Sequence, residues 1–157
     1  MAMFLKLDGV DGESTDAKHK DEIDIESFSW GLANPSSATS GGGGGAGKVS
    51  VQDFHFVMRQ NVASPKLILA CATGEHIKKA TLTVRKAGKE QQEYLKVTME
   101  DLLVSSYQTG GSAAEPIPTD QFSLNFSKVE YSYSPQSATG ALGSPVVASI
   151  DLRRGGG

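Results

Sequence analysis

The chain has 157 residues, enough for one domain with a real core, and a net charge of −3 from 15 basic and 18 acidic side chains. That balance gives neither the electrostatic footprint of a nucleic-acid binder nor a polybasic membrane patch. The one cysteine forbids an internal disulfide and suits folding in a reducing compartment, and no apolar run is long enough for a membrane span or a signal-peptide core.

Taken in order, Met3 to Leu7 alternates and predicts a strand, with Met3, Leu5 and Leu7 on one face. Asp8 to Asp21 is polar, holds two Asp/Gly turns and reads as a loop. Glu22 to Leu32 predicts a long strand whose apolar set jumps phase, from Ile23 and Ile25 to Phe28, Trp30 and Leu32. Asn34 to Gly47 is a Ser/Gly-rich connection. Lys48 to Arg59 jumps phase in the same way, from Val49 and Val51 to Phe54, Phe56 and Met58. A strand's side-chain period is 2, so each jump means a bulge or a strand whose two ends face different layers.

Ser64 to Gly74 predicts the one helix. Ser64 is placed to cap it, Pro65 to occupy its first position and Gly74 to end it, with Leu67, Ile68, Cys71 and Ala72 on its inner face. Ile77 to Lys86 predicts a strand with Ala80, Leu82 and Val84 inward and Lys79, Thr81, Thr83 and Arg85 outward. It forms a hairpin with Tyr94 to Leu103. Thr109 to Asp120, with Pro116 and Pro118, reads as a loop. Gln121 to Ser134 makes the third phase jump, from Phe122, Leu124 and Phe126 to Val129, Tyr131 and Tyr133. After a further loop, Val146 to Leu152 is the last strand and residues 153–157 a flexible tail. Three long strands that switch faces suit a mainly β fold, a curved two-sheet barrel, with one short helix packed against it.

The search for chemistry returns little. Gly42 to Lys48 fits the front of a phosphate-binding loop, but Val49 stands where a Ser or Thr must bind magnesium, and a strand follows where a helix must start. Both departures speak against a nucleotide hydrolase, the candidate from the enzyme class, and no cofactor is expected. His19, His55 and His76 are far apart, outside any metal-ligand spacing, and read as structural or surface side chains. Cys71 reads as an inert thiol on the helix, and no nucleophile elbow surrounds any serine. Asp8, Asp11, Glu13 and Asp16 lack the spacing of a calcium loop. Lys78, Lys79, Arg85, Lys86 and Lys89 form a local basic patch, either a solvated strand face or a subunit or cargo contact. Nothing points to an enzyme. A small-ligand-binding barrel would need exposed aromatics, and only 7% of residues are aromatic, most of them committed to core alternation.

The ordered blocks IESFSWG, GGGGGAGKVSVQDFHF, SPKLILACATGEH, LTVRKAG and YLKVTMEDLLVSSYQTGG, from Ile25 to Gly111, resemble the haemolysin-coregulated protein (Hcp) family, the tube proteins of bacterial type VI secretion. The resemblance runs over nearly the whole chain and is weakest after Ser134. It implies a two-sheet barrel with one helix, related to phage tail-tube proteins, so a phage-like tail-tube subunit is the alternative. It also implies a homo-hexameric ring, stacking of rings into a hollow tube inside a contractile sheath, a spike protein at the tip, and effector proteins held in the lumen. Such a protein is expected in the bacterial cytoplasm and then outside it, exported without a signal peptide. Within that frame Ser27 and Ser29, opposite Phe28 and Trp30, are expected to line the lumen, as are Ser50 and Gln52. Gly41, Gly42, Gly43, Gly44 and Gly45 are expected to form a stacking loop ordered by the adjacent ring.

Overall fold

The structure, a computed structural model, describes residues 1–35, 49–87, 92–137 and 140–154. In chain order it has β1 (Ala2–Leu7), β2 (Ile23–Ile25), β3 (Ser27–Ser29), β4 (Leu32–Ala33), β5 (Ser50–Val51) and β6 (Phe54–Arg59). Then follow α1 (Ala63–Thr73), β7 (Ile77–Arg85), β8 (Glu93–Gly110), β9 (Thr119–Tyr133), β10 (Val146–Asp151) and a 3-10 turn, Leu152–Arg154. One antiparallel sheet has the order β2-β1-β7-β8-β9-β6-β3, with β10 on β9; β4 and β5 pair separately. The end strands β2 and β3 are divided only by Glu26, whose N–H donates to the Val57 carbonyl at 2.8 Å. The sheet therefore nearly closes on itself, and the barrel predicted from the phase jumps is present.

Each jump has a distinct cause. At Glu26 the chain leaves β1 and joins β6, so Ile23 and Ile25 enter the core from one wall and Phe28 from another. At Gln52 and Asp53 the chain passes from the β4–β5 ribbon into the main sheet. In β9 the jump falls near Ser127 without breaking the ladder, because β8 jumps at the same level. Glu100 pairs with Lys128 and Leu102 with Phe126, while Asp101, at φ 51°, accepts a hydrogen bond on its carbonyl from the Ser127 hydroxyl at 3.0 Å. Two partner strands that each turn over one residue keep their register and carry the sheet round a corner.

β8 reaches Gly110 and β9 begins at Thr119, so the ladder takes both ends of the segment expected as a loop. Ser105 to Gly110 lacks an apolar alternation, because only Tyr107 leans toward the core. The helix also differs from expectation. It starts at Ala63, and the side chain of Asn61, not Ser64, accepts from a first-turn amide, Ala63 N–H at 2.8 Å. Pro65 still falls in the first turn, where its missing N–H is not needed. Ala63, Ser64, Leu67 and Ala70 face inward, while Ile68, Leu69 and Ala72 are exposed. Gly74 closes the helix in the left-handed region, at φ 66°.

The core joins Leu5, Leu82, Val97 and Met99 to an aromatic row, Phe54, Phe56 and Phe122. Thr83 and Arg85, expected to face outward, are buried. Residues 8–22 form a strap that covers that outer face. Gly12 lies so close to Glu22 that a Cβ there would sit 2.5 Å from its carbonyl oxygen, so the strap's approach demands glycine.

Candidate interaction face

Pairing registers place two rows of four side chains on the face opposite the aromatic row. Ser29 lies level with His55, Ser123 and Ser106; Ser27 lies level with Val57, Gln121 and Gln108. The strands alternate, so with Phe54, Phe56, Phe122 and Leu124 buried, these neighbours point away from the core. The result is a polar face across β3, β6, β9 and the second half of β8, free of carboxylates at its centre.

Of the residues expected to line a lumen, Ser27 and Ser29 lie on this face and are exposed. Ser50 and Gln52 are also exposed, but the first belongs to the β4–β5 ribbon and the second to the bend that follows it. The Gln52 carbonyl accepts the Trp30 indole N–H at 2.9 Å, which holds the ribbon against the barrel. Gly41 to Gly45 lie outside the described residues.

The sequence reading missed His55, Gln121 and Ser123. The His55 ring is held between the Ser123 hydroxyl, 3.0 Å from Nδ1, and the Gln121 side-chain oxygen, 3.1 Å from Nε2. An amide oxygen only accepts, so Nε2 donates, and Nδ1 of the neutral ring accepts from Ser123. The signal was present: a histidine between two core phenylalanines on a strand must face the other way. Ser123 and His55 lack the setting for acyl transfer, because the backbone N–H groups around them lie in the sheet ladder rather than pointing at an oxyanion position. At the edges of the face, Asp53 accepts from Ser105 at 2.6 Å and from Asn125 at 2.8 Å, and Arg59 pairs with Glu26 at 3.4 Å. Among the described residues no group of His, Cys, Asp and Glu could hold a metal ion, and no helix is long and apolar enough to cross a membrane. The arrangement can make many uncharged hydrogen bonds to a macromolecule.

The strap carries the other polar cluster. Arg85 lies over the Phe4 ring at 4.8 Å and forms a two-pronged pair with Asp16. His19 stacks on Phe4 at 4.5 Å, with Nδ1 3.0 Å from Glu22 and Nε2 2.7 Å from Glu93. Arg85 is thus withdrawn from the expected basic patch, since its charge is spent on the strap. The Arg85 hydrogen bond, aided by the Lys18 N–H and the charges of Arg85 and His19, lowers the Asp16 carboxyl to about 2, while desolvation opposes the shift. Its folded value lies below its ordinary one of 3.8, so its contribution is complete above about pH 4 and is lost as pH falls toward 2. Urea midpoints should therefore drop more steeply between pH 4 and 2 in the unmodified chain than in Asp16→Asn. Parallel curves would contradict this assignment.

Fold and face together define a small β-barrel protein that offers a polar sheet face and, among the described residues, open sheet edges. Residues 4–133 match the family described as type VI secretion system effector, Hcp. The chain is 47% identical over 154 residues to protein hcp1 of Pseudomonas aeruginosa strain PAO1, covering 97% of this chain and 95% of that one. It is similar to the crystal structure of Hcp1 from Salmonella typhimurium, with TM-score 0.82, 37% identity and coverage of 99% of this chain and 97% of that one. A structure described as a type six secretion system protein superposes with TM-score 0.91 at 28% identity, covering 98% and 97%. The chain belongs to the Hcp family of type VI secretion proteins.

Proposed function

We propose that this chain is the tube subunit of a type VI secretion system. Hexameric rings stack into a hollow tube, a contractile sheath expels it behind a spike protein, and effector proteins travel in the lumen. The subunit folds in the bacterial cytoplasm and leaves with the tube. One observation carries the reading: the polar four-stranded face has an unpaired edge on each side. Among the described residues β3 pairs only with β6, and β8 beyond Leu102 pairs only with β9. Two different open edges on one chain support a head-to-tail contact that closes into a ring. Six copies of four strands, spaced about 4.8 Å apart, make a wall roughly 115 Å round and about 37 Å across between backbones before strand tilt. A small folded domain fits that bore, and the polar face would line it.

The test is native mass with class-averaged electron images. The expected species has about six times the subunit mass of 16.5 kDa and a hollow centre; a species that stays monomeric over a hundredfold concentration range, with or without sheath protein, removes the reading. On it, Ser27 and Ser29 contact cargo. Ser29→Trp should keep the ring and reduce retention of a co-expressed effector severalfold, and unchanged retention would count against Ser29. Deleting Gly41 to Gly45 should leave the melting temperature within a few degrees and shorten tubes; tubes as long as those of the unmodified chain would remove the stacking role of that loop.

A further inference from the structure

The two ends of the polar face differ in charge and shape. At the end where β6 stops, a hollow of about 340 Å³ lies between the strap, β2 and the turn from β6 to α1, lined by Glu13, Asp24, Glu26 and Asn61 among others. A second of about 510 Å³ continues it along α1, sharing Glu13, Gln60 and Asn61 and adding Val62 and Ile68. Val62 and Ile68 are 56% and 45% exposed, so the groove has an apolar shelf beside an acidic rim. Within the rim Glu26 meets Arg59, and Glu13 accepts the Val62 N–H at 2.8 Å; among the described residues Asp24 meets no cation. Its carboxyl is pushed up, first by burial and then by the charges of Asp16 and Glu13. A cation arriving from outside would relieve that crowding.

The opposite end carries such cations. α1, 11 residues and about 16 Å long, leads from the groove to β7, whose second and third residues are Lys78 and Lys79. Both are exposed and without a carboxylate partner among the described residues, and Ile77 pairs with Leu102 at the corner where the polar face ends. The acidic rim precedes α1 and the lysine pair follows it, and two different surfaces on one chain are what an open, head-to-tail contact requires.

We infer that the groove bounded by Glu13, Asp24, Val62 and Ile68 receives the Lys78–Lys79 end of a second copy of this chain in the next ring. This rests on the stacked-ring reading and supplies it with a contact that is independent of the glycine loop. The charged rim sets orientation and the apolar shelf contributes burial.

The full-length chain carrying Cys71→Ser, Gln60→Cys and Lys79→Cys, treated at high concentration with a short bis-maleimide, tests it. The expected result is a ladder of covalent oligomers that continues past six, absent from either single-cysteine chain. Adding Asp24→Lys should lower the yield roughly two- to fivefold at low salt, as for an exposed ion pair, and adding Lys78→Glu to that chain should restore it. A ladder that stops at six would place the two surfaces around the ring and overturn the end-to-end assignment. No ladder would overturn the contact itself, and the native mass of the untreated sample then shows whether the ring falls with it.

Discussion

Asp120→Ala is expected to cost about 3 to 5 kcal/mol, because three hydrogen bonds to one buried carboxylate are lost, each worth about 1.5 to 3 kcal/mol and together less than additive. Asp120 is fully buried and accepts hydrogen bonds from three hydroxyls: Ser64 at 2.5 Å, Thr109 at 2.6 Å and Tyr107 at 2.7 Å. These come from α1 and β8, while Asp120 belongs to β9, so one carboxylate ties the helix to two strands. Burial, and next the bond to Asp120, push the Tyr107 phenol up to about 12, so it remains a donor throughout the working pH range. Alanine would leave the buried Ser64 hydroxyl without an acceptor and its desolvation cost uncompensated, while half-buried Tyr107 and exposed Thr109 would exchange their bonds for water. Tyr107→Phe removes one donor and leaves two, and should cost about 1 to 2 kcal/mol. Asp120→Asn keeps the volume and one accepting oxygen and should fall between the two. Urea unfolding at neutral pH measures the series. A loss under about 1 kcal/mol for Asp120→Ala would mean that water reaches the site and that the helix is held by its other contacts, chiefly the burial of Ala63, Leu67 and Ala70.

How much of this was legible in the sequence follows from what each residue answers to. Phe54, Phe56 and Met58 answer to burial alone, so alternation found their strand and its phase jump. Asp120 looked like the last residue of a polar loop, because its partners Ser64, Tyr107 and Thr109 are distant in sequence and each is an ordinary surface type. Arg85 looked like part of a basic patch for the same reason: Asp16, which neutralises it, lies in a segment without periodicity. The helix face was misjudged by one position because α1 is apolar almost all round, so that Ile68 and Leu69 fit an inward stripe as well as Ala63 and Ala70 do. That Ser27 and Ser29 point away from the core was readable because they oppose Phe28 and Trp30. The outward direction of His55 was readable from its two phenylalanine neighbours, but its grouping with Ser123 and Gln121 needed the register of the paired strands, which only long-range pairing sets.

The second large effect is expected at Phe56. Its ring is fully buried and stacks on Phe54 at 5.1 Å and on Phe122 at 5.2 Å, and Phe28 and Trp30 extend the row from Phe54, each at 5.7 Å. Phe56→Ala should cost about 3 to 5 kcal/mol, the lost transfer energy plus that of a cavity the neighbouring rings cannot fill. Its consequence for assembly is distinct from that of Asp120→Ala. Among the described residues β3 is held in the sheet only by β6, with Phe28 directly opposite Phe56. Loss of the ring therefore loosens the strand whose free edge would meet the neighbouring subunit, while Asp120→Ala loosens the helix and leaves β3 in place. At a temperature where both variants remain folded by circular dichroism, Phe56→Ala should lose hexamer to a greater degree than its stability loss alone accounts for, and Asp120→Ala should not. Equal hexamer fractions at equal stability would mean that ring closure does not use the β3 edge. The head-to-tail contact would then have to be sought at β10, whose Val146 and Val147 are 69% and 51% exposed.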